Sequence, residues 1–179
     1  MLKVEDTVVV AIDIQTKLWN VMYEKEALLE NAQKLVKGMQ VMGVPIIWTE
    51  QNPQGLGPTV PELAQLVPGF QPIPKLYFSC CQEKEFQQTI SGLKRKSVLV
   101  CGIEAHICVF QTSMELLGSG FEVQVVADVV SSRVERNRDI TLSRLQSEGV
   151  KLTTSEMAIY ELLRSAGSPQ FKEMLRVVK

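Results

Sequence analysis

Residues 97–127 read SVLVCGIEAHICVFQTSMELLGSGFEVQVVA, and this run decides the fold. Ser97–Gly102 is short, rich in valine and free of charge, the pattern of a strand buried on both faces. Apolar residues then recur at Ile107, Phe110, Met114 and Leu117, so the period changes to that of a helix over about 105–117. Glu122–Ala127 returns to a strand. A strand, a crossover helix and a second strand require a parallel pair with helices laid on the sheet.

The alternation continues outward in both directions. Thr7–Ile12 (TVVVAI) is a buried strand bounded by Asp6 and Asp13. A helix over about 24–42 carries Leu28, Ala32, Leu35 and Met39 on one face, widened by Leu29 and Val36. Gly43 stops it, and Val44–Thr49 (VPIIWT) is the next strand. The stretch 51–69 is broken by Pro53, Gly55, Gly57, Pro58 and Pro61, and a loop of that length is more often functional than filler. Gln71–Lys75 reads as a short strand that Pro72 and Pro74 confine to a sheet edge. A helix over about 82–93 precedes the central unit. A helix over about 136–148, a strand over 151–154 and two helical pieces, the second opened by Pro169, follow it. The expected fold is a doubly wound, Rossmann-like α/β/α three-layer sandwich, one domain over 1–179, with a mostly parallel sheet of about six strands.

Composition narrows the function. The formal net charge of −1 draws the chain towards neither nucleic acid nor acidic lipid, so neither is expected as a partner. No segment approaches the roughly 20 apolar residues that span a bilayer. The chain runs into its first strand without a secretory leader, and its four cysteines do not form a disulfide framework, which fits reduced thiols and a cytoplasmic location. Gly55 and Gly57 lack the third glycine and the helix of a dinucleotide fingerprint, and no phosphate loop occurs. No zinc-type Cys/His spacing exists, so neither metal nor cofactor is expected. Lys94–Lys96 reads as a solvated turn, Arg133, Arg136 and Arg138 as a helix start or subunit contact, and Thr153 with Glu156 as a capping box.

In an open parallel sheet, ligands bind beyond the carboxyl ends of the strands, where strand order reverses. The first strand ends in Asp13, the second in Glu50 and Gln51, the edge strand in Lys75, and the fourth leads within six residues to Cys108. An acid, a base and a thiol therefore converge at one mouth. Each has a plainer reading: Asp13 as a turn cap, Lys75 as a solvated edge lysine, Cys108 as a buried core thiol. Against the last, Cys108 aligns with Thr112 and Glu115 on the more polar side of its helix. It also sits in the first turn, where the dipole and Lys75 would favour a thiolate. His106 is the only histidine and lies on another side of the same turn, so it reads as structural.

AIDIQ (11–15), WTEQNPQGLGPTVPEL (48–63), PKLYFSC (74–80), GIEAHICVFQTSMEL (102–116), VVADVVSSR (125–133) and TTSE (153–156) occur in that order. Together they resemble the isochorismatase-like cysteine hydrolase superfamily, nearest its isochorismatase-domain-containing branch, over essentially the whole chain. The resemblance implies a catalytic triad falling on Asp13, Lys75 and Cys108. It also implies a cis peptide between Ile103 and Glu104, and an oxyanion hole made by the backbone N–H groups of Glu104 and Cys108. Proximity to that triad nominates Leu18, Trp19, Gln51, Phe78 and Thr112 as the substrate pocket. Nicotinamidases of the superfamily hold a metal through histidines in the loop after the second strand, and this loop has none. True isochorismatases cleave a vinyl ether without a cysteine nucleophile, so Cys108 points elsewhere. Three classes remain: a hydrolase of a small amide or related acyl substrate, a thiol redox or electrophile sensor, and a non-catalytic oligomeric scaffold retaining the triad. A homo-oligomer is expected by analogy.

Overall fold

The computed structural model describes residues 1–179. Its elements run β1 (Thr7–Ile12), α1 (Thr16–Trp19), α2 (Lys25–Met42), β2 (Ile46–Gln51), α3 (Pro53–Leu56), α4 (Pro61–Ala64), β3 (Ile73–Lys75), α5 (Lys84–Gly92) and β4 (Ser97–Ile103). A π-helical turn, Ala105–Val109, then leads into α6 (Phe110–Gly118), β5 (Glu122–Ser131), α7 (Glu135–Ser147), β6 (Lys151–Thr153), α8 (Ser155–Leu163) and α9 (Phe171–Val178). All six strands are parallel and lie in the order β3-β2-β1-β4-β5-β6. This is the three-layer α/β/α sandwich that the alternating pattern predicts.

Side-chain alternation divides the core between the two faces of the sheet. Val9, Ala11, Trp48, Leu99, Cys101 and Val126 pack under α2, α8 and α9 with Leu28, Leu35, Met39, Ile159, Leu162 and Met174. Val8, Val10, Ile12, Val98, Val100 and Val125 face the other way, towards Phe86, Val109, Leu116 and Leu145. Every residue of β1 and β4 is buried, so each central strand contributes to both layers. At about 1.5–3 kcal/mol for each large apolar side chain fully removed from water, these layers hold the sheet rigid beneath its carboxyl edge.

Topology fixes where the open edge lies. β1 is flanked by β2 and β4, and the chain winds out through β2 and β3 before crossing back to β4 on the opposite side. The reversal of order therefore falls between the carboxyl ends of β1 and β4, which pair as Ile12↔Gly102. Gly102 has φ +120, and a Cβ there would stand 2.0 Å from the Ile12 carbonyl oxygen. Only glycine allows the two strand ends this closely together.

Several local expectations are corrected. The stretch after β2 is not irregular throughout, since Pro53 and Pro61 each open a short helix at a position where the missing N–H costs nothing. β5 runs to Ser131 rather than stopping at Ala127, with a register shift in its pairing to β4 between Val100 and Gly102. The cap of α8 is Thr154, whose Oγ1 accepts from the Met157 N–H at 3.2 Å, and not Thr153. Arg95 is no solvated turn residue, because its guanidinium donates to the Val4 and Thr7 carbonyls and anchors the start of β1.

Replacing Gly102 by alanine is expected to destabilise the protein by at least about 3 kcal/mol, because backbone rather than a pliable side chain blocks the new methyl. Urea unfolding of Gly102→Ala checks it; a midpoint equal to wild type would contradict the close approach.

Candidate active site

Asp13 follows β1 directly and takes a left-handed conformation, φ +52, one that aspartate tolerates better than most residues. Its N–H donates to the Thr49 carbonyl at 3.2 Å, which carries the sheet pairing one residue beyond the strand. The Thr49 hydroxyl donates to Asp13 Oδ1 at 2.8 Å. Lys75 ends the edge strand opposite Gln51. Its Nζ lies 2.6 Å from Asp13 Oδ2, and both side chains are fully buried. The ammonium donates to Gln51 Oε1 at 2.7 Å, to the Phe78 carbonyl at 3.1 Å and to the Tyr77 carbonyl at 3.2 Å.

Cys108 comes from the other side of the reversal point. The peptide between Ile103 and Glu104 is cis, and the π turn follows at once, with the Val109 N–H reaching the Glu104 carbonyl at 3.3 Å. Two ties hold this turn to the end of β5. The Glu104 carboxylate accepts from the Arg133 Nε at 3.0 Å and from its N–H at 3.2 Å, and His106 Nδ1 shares a hydrogen bond with Ser132 Oγ at 2.9 Å. Cys108 is only 6% exposed, and its ionisation is coupled to Asp13, Lys75 and the neighbouring thiol of Cys80.

Burial governs the charge states. It raises the Asp13 carboxyl above its ordinary value, against the opposing pull of Lys75 and the hydrogen bonds on it. Burial works to lower Lys75, but the charge of Asp13, foremost among the raising influences, outweighs it, so Lys75 is raised and stays an ammonium. Cys108 is pushed up to about 12, first by burial and then by Asp13, with Lys75 opposing. Loss of water and the Asp13 carboxylate thus work against the expected resting thiolate, while the Lys75 cation works for it.

The nominated pocket residues separate. Gln51 joins the ion pair itself. Phe78 contributes its carbonyl, while its side chain stands on the surface with the residue 53% exposed. Leu18 and Trp19 pack on the α2 side of the core. The Trp19 indole N–H donates to the Lys25 carbonyl at 3.1 Å, and the Lys25 ammonium lies 4.9 Å from its ring centroid. Thr112 is fully buried and accepts the Cys80 N–H at 3.0 Å, so it braces the loop after β3. A cleft of about 510 Å³ opens at the β3 edge between Asn52, Pro53, Gln54, Pro74, Leu76 and Tyr77, with Lys75 on its wall. No three His, Cys, Asp or Glu side chains gather as a metal cage would.

Sequence reasoning missed three supports of the site. Thr49 is one. Cys80 is another, fully buried, with its thiol 3.7 Å from Thr49 Oγ1. Gln15, also fully buried, accepts the Gln51 N–H at 2.7 Å and donates to the Gln51 and Gly57 carbonyls at 3.0 and 2.6 Å. A polar residue at the end of an otherwise apolar strand is the signal that could have found Thr49.

Residues 7–157 match the family profile of the isochorismatase domain. Isochorismatase domain-containing protein 2 of Bos taurus is 41% identical, over 93% of this chain and 80% of its own. The structure of MAR1 ribonuclease from Caenorhabditis elegans superposes with a TM-score of 0.93 at 33% identity, covering 99% of this chain and 91% of that one. The YcaC protein of Escherichia coli, described as an octameric hydrolase of unknown specificity, gives 0.89 at 23% identity over 99% and 86%.

Lys75→Met strands a buried carboxylate and is expected to cost about 3–5 kcal/mol near neutral pH, while adding Asp13→Asn should recover most of that loss. Asp13 has a raised folded pKa, so the stability it contributes is complete below its unfolded value of about 3.9 and is lost as pH rises. The Lys75→Met deficit should therefore shrink in acid. Urea melts of both single variants and the double variant, near pH 4 and pH 7, measure this; a double variant as unstable as Lys75→Met would refute it.

Proposed function

The chain belongs to the isochorismatase family, and from that premise we propose that it is a cysteine hydrolase of small amide or related acyl compounds, with Asp13, Lys75 and Cys108 as its catalytic residues. The observation that carries this reading is the fully buried Asp13–Lys75 pair, 2.6 Å apart, electrostatically coupled to the Cys108 sulfur. Titratable groups held at such cost beyond the strand ends of an open sheet are a recurrent mark of a working site.

The surroundings of the thiol shape the mechanism. Burial and then Asp13 raise Cys108, which works against a free thiolate ahead of attack. Proton transfer therefore accompanies attack: Asp13, made more basic by burial, takes the thiol proton as sulfur bonds to the substrate carbonyl carbon. The backbone N–H groups of Glu104 and Cys108 hold the oxyanion. Asp13 then protonates the departing amine as the C–N bond breaks, leaving a thioester. Water attacks the thioester, Asp13 accepts its proton, the acid departs, and the proton returns to sulfur. Lys75 remains an ammonium throughout and balances the carboxylate.

A homo-oligomer and a cytoplasmic setting belong to the same proposal, the former in keeping with the octameric Escherichia coli protein. The ribonuclease name belongs to the Caenorhabditis elegans relative, and RNA enters the test as a competing substrate.

A panel of small primary amides and acyl esters, with RNA alongside, is to be assayed against wild type and Cys108→Ala. Wild type should release amine or alcohol from at least one small compound, and Cys108→Ala should lose at least about 1,000-fold in rate while melting as wild type does. Equal turnover by a folded Cys108→Ala protein, or hydrolysis of RNA alone, would overturn the scheme.

A further inference from the structure

Thr49 is 1% exposed and shares its face of β2 with Ile47, so a valine would fill the same volume there. A hydroxyl withdrawn from water is costly unless it is bonded, and this one is used completely. Its single hydrogen goes to Asp13 Oδ1 at 2.8 Å, and its oxygen accepts from the Cys80 thiol at 3.7 Å. The Thr49 carbonyl accepts the Asp13 N–H at 3.2 Å. Thr49 therefore holds Asp13 twice, at the backbone and at the carboxylate, where the chain turns to φ +52.

Lys75 by itself would not fix the plane of the carboxylate. It meets Oδ2 at 2.6 Å, and the torsion about the Asp13 Cβ–Cγ bond is broad and two-fold. A second hold on Oδ1 removes that freedom. The Thr49 hydroxyl is itself oriented, since the Cys80 thiol donates to its oxygen and leaves its own hydrogen for Asp13. Burial raises the Cys80 thiol, which favours the hydrogen it donates. The Cys80 N–H donates in turn to Thr112 Oγ1 at 3.0 Å, four residues past Cys108. One chain of hydrogen bonds thus runs from the helix after the sulfur, through Cys80 and Thr49, to the carboxylate.

We propose that Thr49 is a positioning residue whose hydroxyl locks the plane of the Asp13 carboxylate and keeps it ionised for the proton of Cys108. The inference rests on the reading of Asp13 as the base for Cys108. Each carboxylate oxygen carries two lone pairs, so the holds by Lys75 and Thr49 leave room for that proton. Three titratable groups bear on Asp13: Lys75 from β3, Cys80 from the segment after it, and Cys108 from the π turn. Glu50, next to Thr49 on β2, is turned to the other face, where it accepts from the N–H and hydroxyl of Thr59. A hydrogen bond to a carboxylate favours its charged form, so losing the Thr49 hydroxyl makes Asp13 harder to ionise.

The test is the pH dependence of Cys108 alkylation by iodoacetamide in the full chain, read at the Cys108 peptide by mass spectrometry, which requires no known substrate. The acid limb of the wild-type profile reports ionisation of Asp13. Thr49→Val should move that limb up by about one pH unit, and Thr49→Ser, which keeps the hydroxyl, should leave it at the wild-type position. A role confined to packing would change the plateau or the unfolding midpoint and leave the limb in place. A Thr49→Val limb that stays put or moves down overturns the proposal, as does a Thr49→Ser limb that moves equally far. Should Thr49→Val not fold, Thr49→Ala, which removes the hydroxyl and puts nothing in its place, decides instead. The double variant Asp13→Asn with Lys75→Met, which strands neither charge, separates the two levels. If it leaves the wild-type profile unchanged, the parent reading fails. If it removes the limb while Thr49→Val keeps its limb in place, only the role of Thr49 fails.

Discussion

An aspartate and a lysine with no access to water, 2.6 Å apart, set the terms for the rest of this structure. Removing either ion from solvent costs several kcal/mol even after relaxation, and mutual attraction repays it only where the remaining hydrogen-bonding capacity is met. Here Lys75 has three acceptors besides the carboxylate, and Thr49 serves one carboxylate oxygen. The polar side chains around them belong to the same requirement: the buried Gln15 holds Gln51, and the half-buried Gln51 holds Lys75.

That demand explains why the pair sits at this point of the fold. β1 and β4 are buried along their whole lengths and are tied to their neighbours by regular parallel pairing, so their ends move little. A carboxylate one residue past β1 and a thiol a few residues past β4 inherit that rigidity, although both lie outside regular strands. The close approach at Gly102 brings the two ends together, and the ties from Glu104 and His106 to Arg133 and Ser132 brace the turn that bears the sulfur. Rigid strands provide the precision, and the segments beyond them provide the chemistry.

Burial pushes the two acids of the site the same way. It raises the Asp13 carboxyl and the Cys108 thiol alike, which favours a proton on each and works against a free thiolate. The first-turn position of Cys108, which in isolation argues for a thiolate, is opposed by withdrawal of the sulfur from water and by the Asp13 carboxylate, and supported by the Lys75 ammonium.

The linear order of residues was enough to determine the layered fold, its parallel sheet and the strand ends where Asp13, Lys75 and Cys108 fall, because apolar periodicity and proline placement are local properties of the chain. It placed Gln51 and Thr112 near the site but left the partners of both, Lys75 and the Cys80 N–H, unknown. It marked Thr153 as the cap that Thr154 supplies, since both are followed by helix and only backbone geometry distinguishes them. Tertiary structure alone decided which hydroxyl reaches which oxygen, which oxygens surround the Lys75 ammonium, and which groups raise or lower the Cys108 thiol. Those outcomes depend on angles and on the exclusion of water by segments far apart in the chain, which no local pattern of residues encodes.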